Sequence, residues 1–402
     1  MNILISTWSL QVGGGEILAM NLSTGLTQLG HRVAIFNQRA ELVDESLIKR
    51  LLPPAVKIFS MADRPVQRFI AYKLDAVRQR LGLQPVYFER QQQAYLAQCL
   101  RQHQTEVVHS HATYADRMCL PVALAAQVPL VITEHGEYTQ FTREGRRDFL
   151  DVLQGAQAIA AVSDYCRQTL VTSLTGLPPT ETVYNGVLLP LATDGGVAMR
   201  EQLGIPLDAF VLGMAARGRP DKGWQHALDA FRHLRTQVAG RPLRLVLIGG
   251  SEYLEELRQQ CTAEPDIIFT GRVPNPDFFL AGLDVGLLPT YFAAEALPLV
   301  IIEYMTSGKP TIATRTGGIP ELLQTAVGDT GQLLDLDPIT GQPSYLALAA
   351  AMQLYYEDSA LYAQHAANAQ LVQRNFTMAA CVARYEKIYA RVAEAATTAY
   401  SR

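Results

Sequence analysis

Phe210-Val211-Leu212-Gly213-Met214 runs without a break into Ala215-Ala216-Arg217-Gly218-Arg219-Pro220-Asp221-Lys222-Gly223, an apolar run that stops in a turn of glycine, proline and cations. A short apolar run closed by such a turn reads as a buried strand, and the turn then stands at the strand's C-terminal edge, where open α/β sheets bind ligands. Arg217 there has the forked guanidinium that grips a diphosphate through paired hydrogen bonds, and Lys222 adds a point charge. Taken alone, the segment is equally well read as a solvated turn with ordinary surface cations.

The same unit recurs in both directions. Leu243 to Ile248, Ile267 to Phe269, Val285 to Leu288 and Thr311 to Ala313 come after it. Ile3 to Ser6, Val33 to Asn37, Val107 to Ser110, Leu130 to Thr133 and Ala158 to Val162 precede it, each run giving way to a turn and a helix-period stretch. Strands alternating with helices imply parallel sheets covered on both faces, and so many strands fit two sheets better than one. Val183 to Val187, Leu189-Pro190 and Thr193 to Gly196 have the composition of a connector, so the boundary is placed at residue 190. Helix-period segments at Tyr345 to Tyr356, Leu361 to Arg374 and Met378 to Ala396 close the chain.

The whole composition agrees. A chain of 402 residues has the length of two or three domains at ~150 residues each. With 49% hydrophobic and 18% charged residues it is too apolar for disorder. Its 34 Lys and Arg against 38 Asp and Glu give a net charge of -4, without the basic excess of a non-specific nucleic-acid binder. Five scattered cysteines, never in a C-x-x-C pair, indicate neither a disulfide framework nor a zinc knuckle and fit the reducing cytosol. The chain opens on a strand-like run with no basic leader and holds no span-length apolar run, so a cytoplasmic protein is expected.

Three further stretches carry candidate chemistry. Gln11-Val12-Gly13-Gly14-Gly15-Glu16 leads from the first strand into an apolar-periodic helix, whose exposed first amides favour an anion. Tyr291 to Met305 holds Glu295 just ahead of a helix and Glu303 inside it, with Pro298 suited to the first helical turn and Gly308 to the C-terminal cap. A carboxylate among Val300, Ile301 and Ile302 is costly unless it accepts strong hydrogen bonds, which ribose hydroxyls would supply, or pairs with a neighbouring cation. Lys309 to Thr314 and the turn Thr316-Gly317-Gly318-Ile319-Pro320-Glu321 complete the set.

The order Arg217-x4-Lys222-Gly223, Glu295-x7-Glu303, Gly308-x-Pro310 and Gly317-Gly318-x-Pro320-Glu321 resembles that of the group-1 (family four) retaining glycosyltransferases of the GT-B fold. In the first half Gln11 to Glu16, His109-Ser110-His111, Thr133-Glu134-His135-Gly136, Val162-Ser163 and Asn185-Gly186-Val187 are similar to that family's landmarks. The resemblance, which covers nearly the whole chain, implies two Rossmann-like domains facing a cleft. Residues 1–190 would take the acceptor and 191–377 the nucleotide sugar, with a final helix, about 378–402, crossing back to the first domain. It implies that Arg217 and Lys222 bind the diphosphate, Glu303 the ribose and Glu295 hydroxyls of the transferred sugar. His135 would lie beside the anomeric carbon, and Gly14 and Gly15 would approach the donor. Gly249, Arg272 and Val273 would meet the base, and amides near Ala296 and Leu297 the phosphates. Glu295-Ala296-Leu297-Pro298 departs from the family's glycine-rich version, so the choice of sugar is not carried over.

The implied activity is retaining, metal-independent transfer of a hexosyl unit from a UDP- or GDP-linked sugar to a glycan or lipid-linked acceptor. The setting would be envelope polysaccharide or lipopolysaccharide assembly, and no cofactor is expected beyond the co-substrate. A sugar-nucleotide epimerase, a sugar phosphorylase and a non-catalytic sugar-nucleotide binder are the alternatives the fold leaves open. His109 and His111 share one strand face at a spacing that begins a metal site, although no third ligand is evident. Asp335-Leu336-Asp337 imitates a metal-binding D-x-D but sits in a turn-like segment and is read as a loop. His135 without its neighbours would pass for a capping or core histidine. Between residues 64 and 101 Arg64, Arg68, Lys73 and Arg78 lie among aromatics and few acids. That surface is either a dock for anionic lipid on the inner face of the membrane, or for an anionic acceptor, or a solvated helix face.

Overall fold

A computed structural model describes residues 1–188 and 196–400. The chain divides into two compact units, Met1–Gly186 with Met378–Arg402, and Val187–Thr377. The boundary expected at residue 190 falls within 189–195, outside the described residues.

In the first unit β1 (Asn2–Thr7), β2 (Arg32–Asn37), β3 (Lys57–Ser60), β4 (Val107–Ser110), β5 (Leu130–Glu134), β6 (Ala158–Ala161) and β7 (Thr180–Thr182) form one parallel sheet in the order β3-β2-β1-β4-β5-β6-β7. In the second, β8 (Phe210–Ala215), β9 (Leu243–Ile248), β10 (Ile267–Gly271), β11 (Val285–Leu288) and β12 (Thr311–Thr314) come in chain order. Beyond a small ladder of β13 (Gln324–Thr325) with β14 (Gly328–Asp329), β15 (Gly331–Leu334) completes the parallel order β10-β9-β8-β11-β12-β15. Both units are therefore Rossmann-like, the strand order reversing beside β1 and β4 in one and beside β8 and β11 in the other. Crevices form where neighbouring strands send their connections to opposite faces, so these reversals place each unit's ligand edge.

The central strands are continuous apolar runs because helices cover them on both faces. One of those helices is the last, Met378–Tyr400, which packs Met378, Val382, Tyr385, Tyr389 and Val392 into the same core as Leu18, Leu22 and Leu26 of helix Gly14–Gln28. Gly25 makes the approach possible, since a β-carbon there would lie 2.6 Å from a Val382 methyl. The C-terminal helix thus belongs to the first unit.

Helix Leu299–Thr306 differs from expectation at its start. Pro298 stands outside the first turn as the N-cap, in extended conformation, and its carbonyl accepts from Ile301 N (3.2 Å). At the other end Gly308 takes φ +68°, which lets the Lys309 amide reach back to Tyr304 O (2.9 Å) and close the helix. No helix among the described residues is long and apolar enough to cross a membrane.

Candidate active site

The first unit gathers its candidate residues beyond the ends of β1, β4 and β5. Gly14 and Gly15 form the first turn of helix Gly14–Gln28, and a β-carbon on Gly15 would sit 3.4 Å from His135 Nε2, so the glycine lets the imidazole lie close to the helix start. His135 comes directly after β5, and its Nε2 is 3.2 Å from His111 Nδ1. Behind it lies a fully buried chain of polar contacts. His109 Nδ1 meets the Tyr389 hydroxyl (2.7 Å), His109 Nε2 meets Thr133 Oγ1 (2.6 Å), and Thr133 Oγ1 meets the Tyr385 hydroxyl (2.8 Å). Both tyrosines come from the C-terminal helix, which is thereby fastened by hydroxyls as well as by apolar packing to the strands that lead to His135.

Burial lowers the affinity of all three imidazoles for a proton, His135 to about 4, His109 to about 3 and His111 well below the ordinary value. At neutral pH each is uncharged, and the hydrogen-bond count selects a tautomer. His111 Nε2 is buried without a partner. An orphaned acceptor costs less than an orphaned N–H, so His111 carries its proton on Nδ1 and donates it to His135 Nε2, leaving His135 with its N–H on Nδ1. Both nitrogens of His109 are engaged, and no group of three or more metal-ligating side chains occurs among the described residues. A second buried cluster lies nearby. The Tyr138 hydroxyl donates to Asp116 Oδ2 (2.8 Å), burial pushes the Asp116 carboxyl up to about 8, and Glu134, raised by burial, accepts from the Tyr138 and Thr139 amides (3.2 and 2.8 Å).

The second unit brings five loops together at the C-terminal edge of its sheet. Arg217 lies exposed in the loop after β8, its carbonyl held by the Trp224 indole N–H (3.0 Å). Lys222 ends the adjoining 3-10 turn, Pro220–Lys222. Its Nζ donates to Glu295 Oε2 (2.5 Å), which also accepts from the Thr290 hydroxyl (3.1 Å). Lys222 and Glu295, 73 positions apart, are 6% and 7% exposed, so the pair is a fixed internal feature of the site. Arg217, Arg219 and Lys222 all approach the ring of Phe292, at 5.9, 4.8 and 4.5 Å from its centre. Arg219 is spent on Asp221, in a pair of hydrogen bonds.

The backbone around Glu295 is clamped from the loop after β12. Gly317, at φ +57°, passes so close that a β-carbon would fall 1.5 Å from Glu295 O, and the Gly318 amide donates to Ala296 O (2.9 Å). That contact explains physically why residue 317 is a glycine. Ala296 and Leu297 are buried in this segment, and Glu303, on helix Leu299–Thr306, is half-buried, so its desolvation is milder than its apolar neighbours suggested. Gly249 packs against the loop of Arg217, a β-carbon there lying 2.6 Å from Ala216 O. Gly250 packs against Arg272, and Val273 joins the core under that edge. Asp335 pairs with Arg315 (2.8 Å), and Asp337 accepts from the Ile339 and Thr340 amides (3.0 and 2.8 Å), so both aspartates serve a loop.

The structure thus joins Lys222 to Glu295 and sets Arg217, Gly249 and Arg272 on the same sheet edge, while His135, Gly14 and Gly15 form a group of their own in the first unit. Phe292, Thr290 and the two tyrosines of the last helix were not singled out by sequence as parts of a site. Only Phe292 left a signal, as an aromatic near Glu295 in the stretch Tyr291 to Met305.

Comparison with known proteins gives the class. A model of the glycosyl transferases group 1 matches residues 198–372, and one of glycosyltransferase family 4 matches residues 12–189. Between them they take in both units, and the chain belongs to the group 1 glycosyltransferases. It is 27% identical to the N-acetyl-alpha-D-glucosaminyl L-malate synthase of Bacillus anthracis, over 73% of this chain and 77% of that one. It is 29% identical to a D-inositol 3-phosphate glycosyltransferase of Corynebacterium glutamicum, over 47% of this chain and 45% of that one. Its fold is that of Anabaena HepE solved with UDP and glucose, at a TM-score of 0.73 and 22% identity over 97% of this chain and 99% of the other.

Proposed function

We propose that this glycosyltransferase moves a hexosyl unit from a nucleoside diphosphate sugar to a hydroxyl of a glycan or glycolipid acceptor, with retention at the anomeric carbon and without a divalent metal. The observation that carries it is the cationic edge of the second unit, where Arg217 and Lys222 stand beside the Phe292 ring and, of these two, Lys222 is the one tied to an acid among the described contacts. A departing nucleoside diphosphate gathers negative charge on its outer phosphate, and cations fixed beforehand stabilise that charge without reorganising. Lys222 has three N–H donors and gives one to Glu295, which leaves two for phosphate oxygens. Glu295, oriented by Lys222 and Thr290, takes hydroxyls of the transferred sugar, and Glu303 takes the ribose. Amides of Ala296 and Leu297 add to the phosphate contacts, and Gly249, Arg272 and Val273 to those of the base. In the first unit Gly14 and Gly15 leave room for the donor and His135 acts at the anomeric carbon. As a neutral group, His135 brings no positive charge to a centre where positive charge develops.

The leaving phosphate accepts the acceptor's proton on the face it departs from, which gives retention without a protein nucleophile. UDP in a structure of the same fold, a glycosyltransferase name for one relative and a glucosaminyl product in the name of the other support a nucleotide-sugar donor. A thermal-shift panel of sugar nucleotides tests this. The true donor at a hundred times its dissociation constant adds about 2.7 kcal/mol to stability, and turnover persists in EDTA. Activity abolished by the chelator and restored by manganese refutes the metal-independent chemistry. Epimerised donor without nucleotide release refutes transfer itself.

A further inference from the structure

Helix Pro65–Arg80 of the first unit turns its apolar face outward. Val66, Phe69, Ile70, Leu74 and Val77, with Leu81 just after the helix, recur at three- and four-residue intervals and fall on one side, where Val66 is 65%, Phe69 60% and Leu81 70% exposed. The opposite side carries the helix's two buried residues, Ala71 and Asp75, and packs on helix Tyr87–His103. A surface helix of a globular protein buries its apolar stripe, so this one is inverted.

The charges are sorted as well. Asp75, the helix's one acid, is buried and consumed by the Val86, Tyr87 and Phe88 amides (2.8 to 2.9 Å). Three of the four cations that the sequence singled out point to protein partners. Arg64 donates to Gln98 (2.7 Å), Arg68 pairs with Glu41 (2.9 Å) and Arg78 donates to Gln84 O (2.8 Å). Lys73 and Arg80, both exposed, lie within the apolar stripe at helical spacing, and the Lys73 ammonium sits over the Phe69 ring (5.4 Å).

We infer that this face is a docking surface for an anionic lipid bilayer, on which the helix lies flat with Val66, Phe69, Ile70, Val77 and Leu81 in the acyl boundary and Lys73 and Arg80 at the headgroups. Apolar residues with long cations among them and no exposed acid are what an interfacial helix requires, the cations keeping their charge in the headgroup layer while their stems lie along the apolar surface. A second copy of the chain is a poorer occupant, because a two-fold contact through this face would bring cations together with no carboxylate to answer them. The inference does not depend on the donor, the sugar or the transfer reaction.

The test is sedimentation of the full chain with vesicles of phosphatidylethanolamine and phosphatidylglycerol, against vesicles of phosphatidylcholine alone. Binding to the anionic vesicles is expected, weakening in 0.5 M salt. The Lys73→Gln, Arg80→Gln variant should bind about 25-fold more weakly, about 5-fold for each cation removed. The Phe69→Ser, Ile70→Ser, Val77→Ser variant should lose binding while keeping the parent's melting temperature, because these side chains are exposed. Equal binding by parent and both variants overturns the proposal. So does a parent that ignores the anionic vesicles, including one that sediments as a dimer which the triple substitution dissociates.

Discussion

Replacing Arg217 and Lys222 one at a time by alanine separates what each does, because the structure gives them different surroundings. Arg217 is exposed, and among the described side-chain contacts its guanidinium meets only the Phe292 ring, 5.9 Å from the ring centre. Removing it should weaken nucleoside diphosphate binding by about 1.5 to 3 kcal/mol, the worth of a hydrogen bond to a charged group, and leave the unfolding temperature in place. Lys222 is the buried partner of Glu295. Its loss costs the same donor contact and also strands a buried carboxylate held then by the Thr290 hydroxyl, a defect of about 3 to 5 kcal/mol. For a unit of this size that is a fall of roughly 6 to 20 °C in melting temperature. The double variant Lys222→Ala, Glu295→Ala should recover part of that stability and none of the affinity. Calorimetry with UDP and GDP reads the first quantity and scanning calorimetry the second. Normal nucleotide affinity in both single variants would refute the assignment of the diphosphate to this edge. An unchanged melting temperature in Lys222→Ala would refute the structural part.

Gly317→Ala forces a β-carbon onto Glu295 O at a positive φ, so it should destabilise the second unit by about 1 to 3 kcal/mol and weaken donor binding through the displaced Glu295; urea unfolding with nucleotide titration checks both. Asp116 keeps its proton in the folded protein up to about pH 8 but loses it near 3.8 when unfolded, so the native carboxyl is progressively destabilising as pH rises between those values. Asp116→Asn should therefore gain stability relative to the parent from about pH 4 to about pH 8, and a flat difference would show the carboxyl to be ionised in the fold. His135→Ala should lower kcat far more than it weakens donor binding, because charge reaches that position only as the bond breaks. His111→Ala should give a smaller loss of the same kind, since it frees the His135 tautomer without removing the imidazole.

The sequence disclosed the parts of the fold whose signal is local. Central strands are buried on both faces and read as apolar runs, so Val285 to Leu288 was legible to the residue, and Asn2–Thr7, Phe210–Ala215 and Thr311–Thr314 to within one residue at either end. Three strands at or beside the sheet edges were not. Thr180–Thr182 is Thr-Glu-Thr and only half-buried, Lys57–Ser60 begins on an exposed lysine, and Gly331–Leu334 is mostly half-buried. An edge strand covers little of the core and need not alternate or concentrate apolar residues.

The site divides in the same way. Arg217, Lys222, Glu295 and the paired glycines sit in short motifs whose order along the chain is itself the signal. The hydroxyl contacts of Tyr385 to Thr133 and Tyr389 to His109 span 252 and 280 positions. Spacing showed those tyrosines only as the apolar stripe of a helix, because their partners come from strands that the helix meets only after the chain has passed through the whole second unit. The basic segment was legible in charge but not in direction, since composition cannot say which cations turn inward.

The central claim is transfer of the sugar with its anomeric configuration kept, and proton NMR of the first product formed tests it most directly. The parent enzyme is given a sugar nucleotide chosen by thermal shift and a hydroxyl acceptor, with water as acceptor when no other is known, and the anomeric coupling is read before mutarotation. The account predicts free nucleoside diphosphate and a product with the donor's own anomeric configuration. An inverted product, or a sugar nucleotide altered without release of the nucleotide, would contradict it.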